Sequence, residues 1–151
     1  MQREPIMAAH ESEESADPAS RLGHVSERGI ESLVDEFYKK VRVDPKLAPI
    51  FDRAIADQDW GAHLATMRDF WSSVMLTSGR YKGNPVAKHL RLEGMEPHLF
   101  DRWLGLFAQT CHELFDDGVA AAFVVKAQRI AESLKLALFY RPDRPWPRTL
   151  P

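Results

Sequence analysis

Apolar residues recur at a helical spacing through most of the middle of the chain. In the first such stretch they follow one another at intervals of three and four, as one face of a helix requires, at Ile30, Leu33, Val34, Phe37, Tyr38 and Val41. Ser26 is placed to cap the start of this helix, and Pro45 ends it. The segment that follows, VDPKLAPIF, predicts a turn and one further turn of helix.

A second amphipathic helix is predicted from Trp60 to Met75, with Asp57 or Asp59 as its cap. Ser78 and Gly79 supply its end. The turn KGNP comes next, in which Asn84 can cap a short helix, Pro85 can take its first position, and His89 is carried within it.

Two further helices complete the pattern. Pro97 opens the third long helix, whose apolar stripe runs from Leu99 to Phe115. The sequence Asp116-Asp117-Gly118 separates it from a last helix with its stripe from Phe123 to Leu138. No strand-like alternation of useful length occurs, so the chain is predicted to be all-α over residues 24–140.

The two ends of the chain have a different composition. Residues 1–23 are polar, acidic in the middle and without periodicity, which predicts a disordered N-terminal tail. Residues 141–151 hold four prolines in eleven positions, which predicts an extended Pro-rich C-terminal tail.

Composition and charge narrow the possible environment and partners. The chain has 151 residues, 44% of them hydrophobic, and a formal net charge of -2, so neither nucleic acid nor an anionic membrane is an expected partner. Cys111 is the only cysteine, which suits a reducing compartment. No apolar run approaches the ~20 residues of a spanning helix, and no secretory signal is recognisable, so a soluble cytoplasmic protein is expected.

Four side chains with polar tips fall on, or close to, the apolar faces. They are Tyr38, His63, His89 and Trp103. Any one of them is more often an ordinary buried residue whose polar atom has found a partner. Together they are costly to bury without a shared purpose, and a cavity that holds an iron cofactor would give all four a partner.

Other metal sites do not fit these residues. A di-iron bundle needs Glu-x-x-His motifs, and a zinc protease needs His-Glu-x-x-His; neither occurs. A single cysteine excludes a thiolate zinc site and an iron–sulfur cluster. Two histidines among Phe, Met, Leu and Trp suit haem, where one histidine coordinates the iron and the other borders the ligand.

The chain resembles the group III truncated haemoglobins, a bacterial branch of the globin superfamily, from about Ile30 to Tyr140. The matching stretches are LVDEFYKKVRVDPKLAPIF, DWGAHLATMRDFWSSVML, YKGNPVAKHL and FDRWLGLF. The Gly-Gly pairs that mark the other truncated groups are absent. The resemblance implies a shortened globin fold, a sandwich of two helices over two, that binds haem b.

The resemblance also implies roles for individual residues. His89 corresponds to the proximal iron ligand, and Tyr38, His63 and Trp103 correspond to residues that contact the ligand on the distal side. Matches to the apolar pocket wall are Phe37, Met67, Phe70 and Trp71. Less specific candidates for contacts with the haem propionates are Arg68, Tyr81, Lys88 and Arg91.

The implied function is binding of O2, NO and CO at ferrous haem iron. Phenol and indole donors aimed at bound O2 would slow its release, which favours tight binding and nitric oxide detoxification over easy oxygen transport. No G-x-G-x-x-G motif is present, so turnover would need an external reductase.

Two alternatives stay open at this point. The first is a peroxidase-like enzyme, with His63 as the distal acid–base group and Asp101 or Glu93 as a carboxylate partner of the proximal histidine. The second is a cofactor-free helical interaction module that uses the Pro-rich C-terminus.

Overall fold

The computed structural model describes residues 21–84 and 92–139. In these ranges the chain forms five α-helices, which confirms the all-α prediction. They are α1 (Glu27–Val43), α2 (Ala48–Ala54), α3 (Trp60–Leu76), α4 (Pro97–Leu114) and α5 (Asp117–Phe139). A 3-10 turn, Asp57–Asp59, leads into α3.

The helices form two layers. Helix α1 packs against α3 in one layer, and α4 packs against α5 in the other. Contact between α1 and α4 joins the layers, while α2 packs against α1. This arrangement confirms the expected sandwich of two helices over two.

The start of α1 is capped as predicted, because the Ser26 hydroxyl accepts a hydrogen bond from the Gly29 amide at 3.0 Å. The start of α3 differs, since neither Asp57 nor Asp59 caps it through the side chain and both lie in the 3-10 turn. Helix α2 has seven residues rather than a single turn. Pro49 occupies its first turn, where a missing amide proton costs little.

The core is continuous between the layers. Its largest fully buried side chains are Phe37, Phe107, Phe115, Phe123, Ile30, Leu33 and Leu47. Cys111 lies fully buried among them, and burial raises the pKa of its thiol to about 12. A thiol that stays protonated at neutral pH is a packing group rather than a nucleophile.

The N-terminal segment reaches into the fold further than the predicted tail boundary at residue 23 allows. The Leu22 amide donates to the Leu114 carbonyl at 2.8 Å, and the Asp116 amide donates to the Leu22 carbonyl at the same distance. These two bonds tie Leu22 to the corner between α4 and α5, beside Phe115. The rest of the predicted tails, residues 1–20 and 141–151, lies outside the described residues, as does Tyr140 at the end of the predicted domain.

Within residues 21–84 and 92–139, no helix combines the length and apolar character that a membrane crossing demands.

Asp44 fixes the corner between α1 and α2 and connects it to α4. Its carboxylate, 7% exposed, accepts bonds from the amides of Lys46 and Leu47 at 3.0 and 2.9 Å. The Arg102 guanidinium donates to the same oxygen at 2.7 Å. The hydrogen bond from Arg102, with the two amides, holds the pKa of Asp44 below its usual value.

We therefore expect Asp44→Ala to lower the free energy of unfolding by about 2 kcal/mol at neutral pH, because a cap and a charged partner are lost together. Because the folded-state pKa is lowered, the contribution of Asp44 to the free energy of unfolding is fully present above its unfolded-state pKa of about 4. This contribution is lost as the pH falls further. Denaturant titrations of both proteins at several pH values measure this difference. A difference that is constant down to strongly acidic pH would contradict the assignment.

Candidate functional site

A cavity of about 270 Å³ lies between the two layers. Side chains from all five helices and from the loops on either side of residues 85–91 form its wall. The lining residues are Tyr38, Phe51, Ala62, His63, Thr66, Met67, Phe70, Trp71, Tyr81, Leu92, Met95, Phe100, Trp103, Ile130, Ala131 and Leu134. Most are apolar or aromatic, with a few polar groups among them, which is the usual composition of a cofactor pocket.

Tyr38 enters the cavity from α1, where its spacing from Val34 and Val41 turns the ring inward. Its ring lies edge-on to Phe37 at 4.8 Å and to His63 at 5.1 Å between centroids. The side chain is buried, and desolvation raises the pKa of its phenol well above the usual value. The phenol is therefore protonated at neutral pH, so it can donate a hydrogen bond to a group in the cavity.

His63 enters from α3, one turn after its start. Its ring packs edge-on against Tyr38 and against Trp60, the latter at 5.4 Å between centroids. The Arg42 guanidinium covers the outer face of Trp60, 4.4 Å from the ring centroid. The imidazole and the phenol of Tyr38 thus share one corner of the cavity.

Trp103 enters from α4 and completes the polar set. Its indole is stacked on Phe107 at 5.6 Å and edge-on to Phe37 at 5.4 Å. Phe107 stacks in turn on Trp71 at 5.0 Å. Two aromatic neighbours therefore restrict the orientation of the Trp103 indole, whose N–H is a hydrogen-bond donor only.

Three of the four predicted wall residues, Met67, Phe70 and Trp71, line the cavity. Phe37 does not; it lies behind the wall and supports Tyr38 and Trp103 through its ring contacts. Tyr81, predicted as a propionate contact, also lines the cavity. Arg68 of α3 forms an ion pair with Asp35 of α1 at 3.1 Å, and neither residue lines the cavity.

His89, Lys88 and Arg91 lie outside the described residues. Two described residues near this segment line the cavity. Tyr81 lies four positions before the segment, and Leu92 follows it directly. The chain therefore rejoins the described part of the fold at the cavity wall, at Leu92.

On the side of α4 and α5, the part of the wall other than Trp103 was not predicted from the sequence. It consists of Met95, Phe100, Ile130, Ala131 and Leu134. The periodicity assigned most of these residues to the apolar stripes of their helices, but a stripe that faces a cavity has the same pattern as one that faces other side chains.

Comparison with known proteins identifies the family. No family model matches the chain. A group 3 truncated haemoglobin of Campylobacter jejuni is 33% identical over 117 residues, which is 76% of this chain and 92% of the relative. The chain belongs to the group III truncated haemoglobins. A crystal structure of a group III truncated haemoglobin from Campylobacter jejuni superposes with a TM-score of 0.75 at 32% identity, covering 79% of this chain and 95% of the other.

For this group III truncated haemoglobin, the similarity in sequence and the similarity in fold agree. Membership of the family supports a globin haem protein that binds diatomic ligands. Tyr38, His63 and Trp103 lie together at the cavity that such a protein requires.

Proposed function

We propose that this truncated haemoglobin holds haem b in the cavity, binds O2, NO and CO tightly, and removes nitric oxide by combining it with O2. The observation that carries the proposal is the convergence of Tyr38, His63 and Trp103, from three different helices, on one apolar cavity. When bound, haem would supply an iron that coordinates a histidine and a diatomic ligand.

The cavity suits a flat, largely apolar group with polar edges. Aromatic and aliphatic side chains from both layers line it, and the polar tips are confined to a few positions. Burial of an apolar macrocycle against such a wall is favourable by roughly 25 cal/mol for each Å² removed from water. The polar edge would then lie near Tyr81, which lines the cavity, and Lys88 and Arg91 are the proposed cationic partners of the haem propionates.

Chain length supports His89 as the iron ligand. Leu92 lines the cavity, and His89 precedes it by only three residues. Three residues span at most about 11 Å, so covalent geometry keeps the Cα atom of His89 within about that distance of the Cα atom of Leu92. A neutral imidazole has a lone pair for iron, and the tyrosine and tryptophan of the cavity come from other helices.

The distal groups explain tight binding. The protonated phenol of Tyr38 and the indole N–H of Trp103 are both donors, and bound O2 carries partial negative charge. A hydrogen bond to a charged group contributes about 1.5–3 kcal/mol, which corresponds to roughly one to two orders of magnitude in the off-rate. Slow release favours reaction of O2 in the pocket over its delivery elsewhere.

Removal of nitric oxide needs a partner. Conversion of NO and O2 to nitrate consumes one electron. The sequence has no G-x-G-x-x-G motif for a flavin or nicotinamide cofactor that could supply this electron. We propose that an external reductase provides this electron.

The peroxidase alternative has less support. It needs a carboxylate beside the proximal histidine, and Asp101 is instead 74% exposed and 4.0 Å from Lys135. Glu93 is exposed and does not line the cavity. A cofactor-free interaction module would not explain why three predicted ligand-contacting residues line one cavity.

Rapid mixing tests the proposed reaction. We expect the O2-loaded ferrous protein to react with NO within the mixing time or shortly after, with one nitrate formed for each haem. Protein saturated with CO is the control, because its ligand position is occupied. Slow oxidation without nitrate, together with fast turnover of peroxide and an organic reductant, would favour the peroxidase alternative.

A further inference from the structure

The guanidinium of Arg80 connects the loop after α3 to both α1 and α3. It contacts the Glu27 carboxylate at the start of α1 at 2.6 Å and the Asp69 carboxylate of α3 at 3.4 Å. It also donates to the Ser72 hydroxyl at 2.9 Å. We call Glu27, Asp69, Ser72 and Arg80 the Arg80 clasp.

The clasp has a buried centre. Ser72 is 0% exposed, and its hydroxyl donates to Glu27 at 2.7 Å and lies 2.8 Å from the Ser78 hydroxyl. The hydrogen bonds from Ser72 and Arg80 hold the pKa of Glu27 below its usual value, so the carboxylate is charged at neutral pH. A single half-exposed ion pair would matter little, but a network around a buried hydroxyl fixes the loop in one geometry.

The loop needs this restraint because its backbone is turned sharply. Thr77 has a positive φ of 53°, and Gly79 follows at 74°. A threonine in the left-handed region has a strained backbone, and neighbouring contacts must offset this strain. Directly after Arg80, the Tyr81 amide donates to the Ser73 hydroxyl at 2.9 Å, which attaches the loop to α3 a second time.

Tyr81 is the residue that this loop presents to the cavity. Its ring is edge-on to Phe70 at 5.1 Å, and Phe70 is itself a cavity residue. On the other side the Gly83 backbone is so close that an added Cβ would come within 2.5 Å of the Tyr81 hydroxyl. Tyr81 therefore lies between the Phe70 ring and the Gly83 backbone, and its position depends on the conformation of the loop.

We propose that Arg80 is a positioning residue, which acts through Tyr81 to set how firmly the cavity retains its haem. The inference rests on the proposed haem binding and adds a residue that does not itself line the cavity. Arg80 fixes the loop to α1 and α3, the loop fixes Tyr81, and Tyr81 forms part of the cavity wall.

The rate of haem transfer to an excess of a haem-free acceptor globin tests this. We expect Arg80→Ala to speed haem loss about fivefold, the effect of losing one cooperative polar network at a half-exposed site. Arg80→Lys keeps the charge but has one nitrogen in place of the fork, so it should restore part of the retention. The Soret circular dichroism of Arg80→Ala should change as well, since it reports the environment of the haem.

Lys40→Ala is the matched control. Lys40 also joins α1 to another helix, through Glu113 at 2.9 Å, and neither residue lines the cavity. We expect its haem loss to stay within about twofold of the wild type. If Arg80→Ala does not fold, Arg80→Lys and Glu27→Gln carry the same test with smaller changes.

A double-mutant cycle with Tyr81→Ala decides whether Arg80 acts through Tyr81. Once Tyr81 is absent, Arg80→Ala should add less than about 1.5-fold to haem loss. Independent effects that multiply would overturn the inference, as would equal haem loss from the wild type and Arg80→Ala. A wild-type chain that takes up no haem would overturn the proposed function as well, which separates the two failures.

Discussion

Replacement of His89 with alanine is expected to abolish stable haem binding. The residue supplies the coordinate bond on the proximal side in our proposal. Tyr38 is protonated and unsuited to replace it, and His63, which also lines the cavity, lies beside Tyr38 as a ligand-contacting residue. Purified His89→Ala, supplied with haem, should show a weak and broadened Soret band and should lose the pigment on gel filtration.

Two controls accompany this variant. His98→Ala removes a histidine that is 66% exposed on α4 and should leave the spectrum unchanged. Free imidazole, added to His89→Ala, should restore part of the Soret intensity because it supplies the missing ligand. A native-like spectrum of His89→Ala without imidazole would assign the iron ligand to another residue.

Replacement of Tyr38 with phenylalanine is expected to speed O2 dissociation by roughly ten- to a hundredfold, the range that corresponds to one hydrogen bond to a charged acceptor. Phenylalanine preserves the ring contacts of Tyr38 with Phe37, Phe51 and His63, so that only the hydroxyl is removed. Displacement of O2 by CO in a stopped-flow instrument measures the rate.

Trp103→Phe is the comparison for this experiment. It removes the second donor and leaves an aromatic ring against Phe37 and Phe107. An unchanged O2 off-rate in Tyr38→Phe, with a faster rate in Trp103→Phe, would make the indole the dominant donor and contradict the role of the phenol.

The helices were predictable because each long helix buries one face. The apolar spacing in α1 and α4 located them. Ser26 marks the start of α1 as its cap, and Pro97 marks the start of α4 as its first residue; both signals are local. The seven-residue α2 was underestimated, since a short helix beginning at a proline-containing turn is stabilised by packing of Ile50 and Phe51 rather than by its own pattern.

The polar residues of the site could be proposed because polar tips on apolar faces are unusual. Tyr38, His63 and Trp103 carried that signal, and all three line the cavity. Phe37 and Arg68 had no comparable signal; a helical position alone does not tell whether a side chain faces the cavity, as Tyr38 does, or a neighbouring helix, as Arg68 does.

The Arg80 clasp was beyond sequence reasoning for a different reason. Glu27 and Arg80 are far apart in the chain, and Ser72 gives no sign that it is buried. Their meeting depends on the packing of α1 against α3 and on the left-handed turn at Thr77 and Gly79. Such contacts follow from tertiary structure and not from a local pattern.

The central claim is that this cavity binds haem through a histidine and leaves a position for a diatomic ligand. Absorption spectra of the purified protein in the ferric, ferrous and CO-bound states test it most directly. We expect a haem protein with a strong Soret band that sharpens and shifts when CO is added to the reduced form. A protein that remains colourless when haem is supplied, or a reduced spectrum that CO does not change, would contradict it.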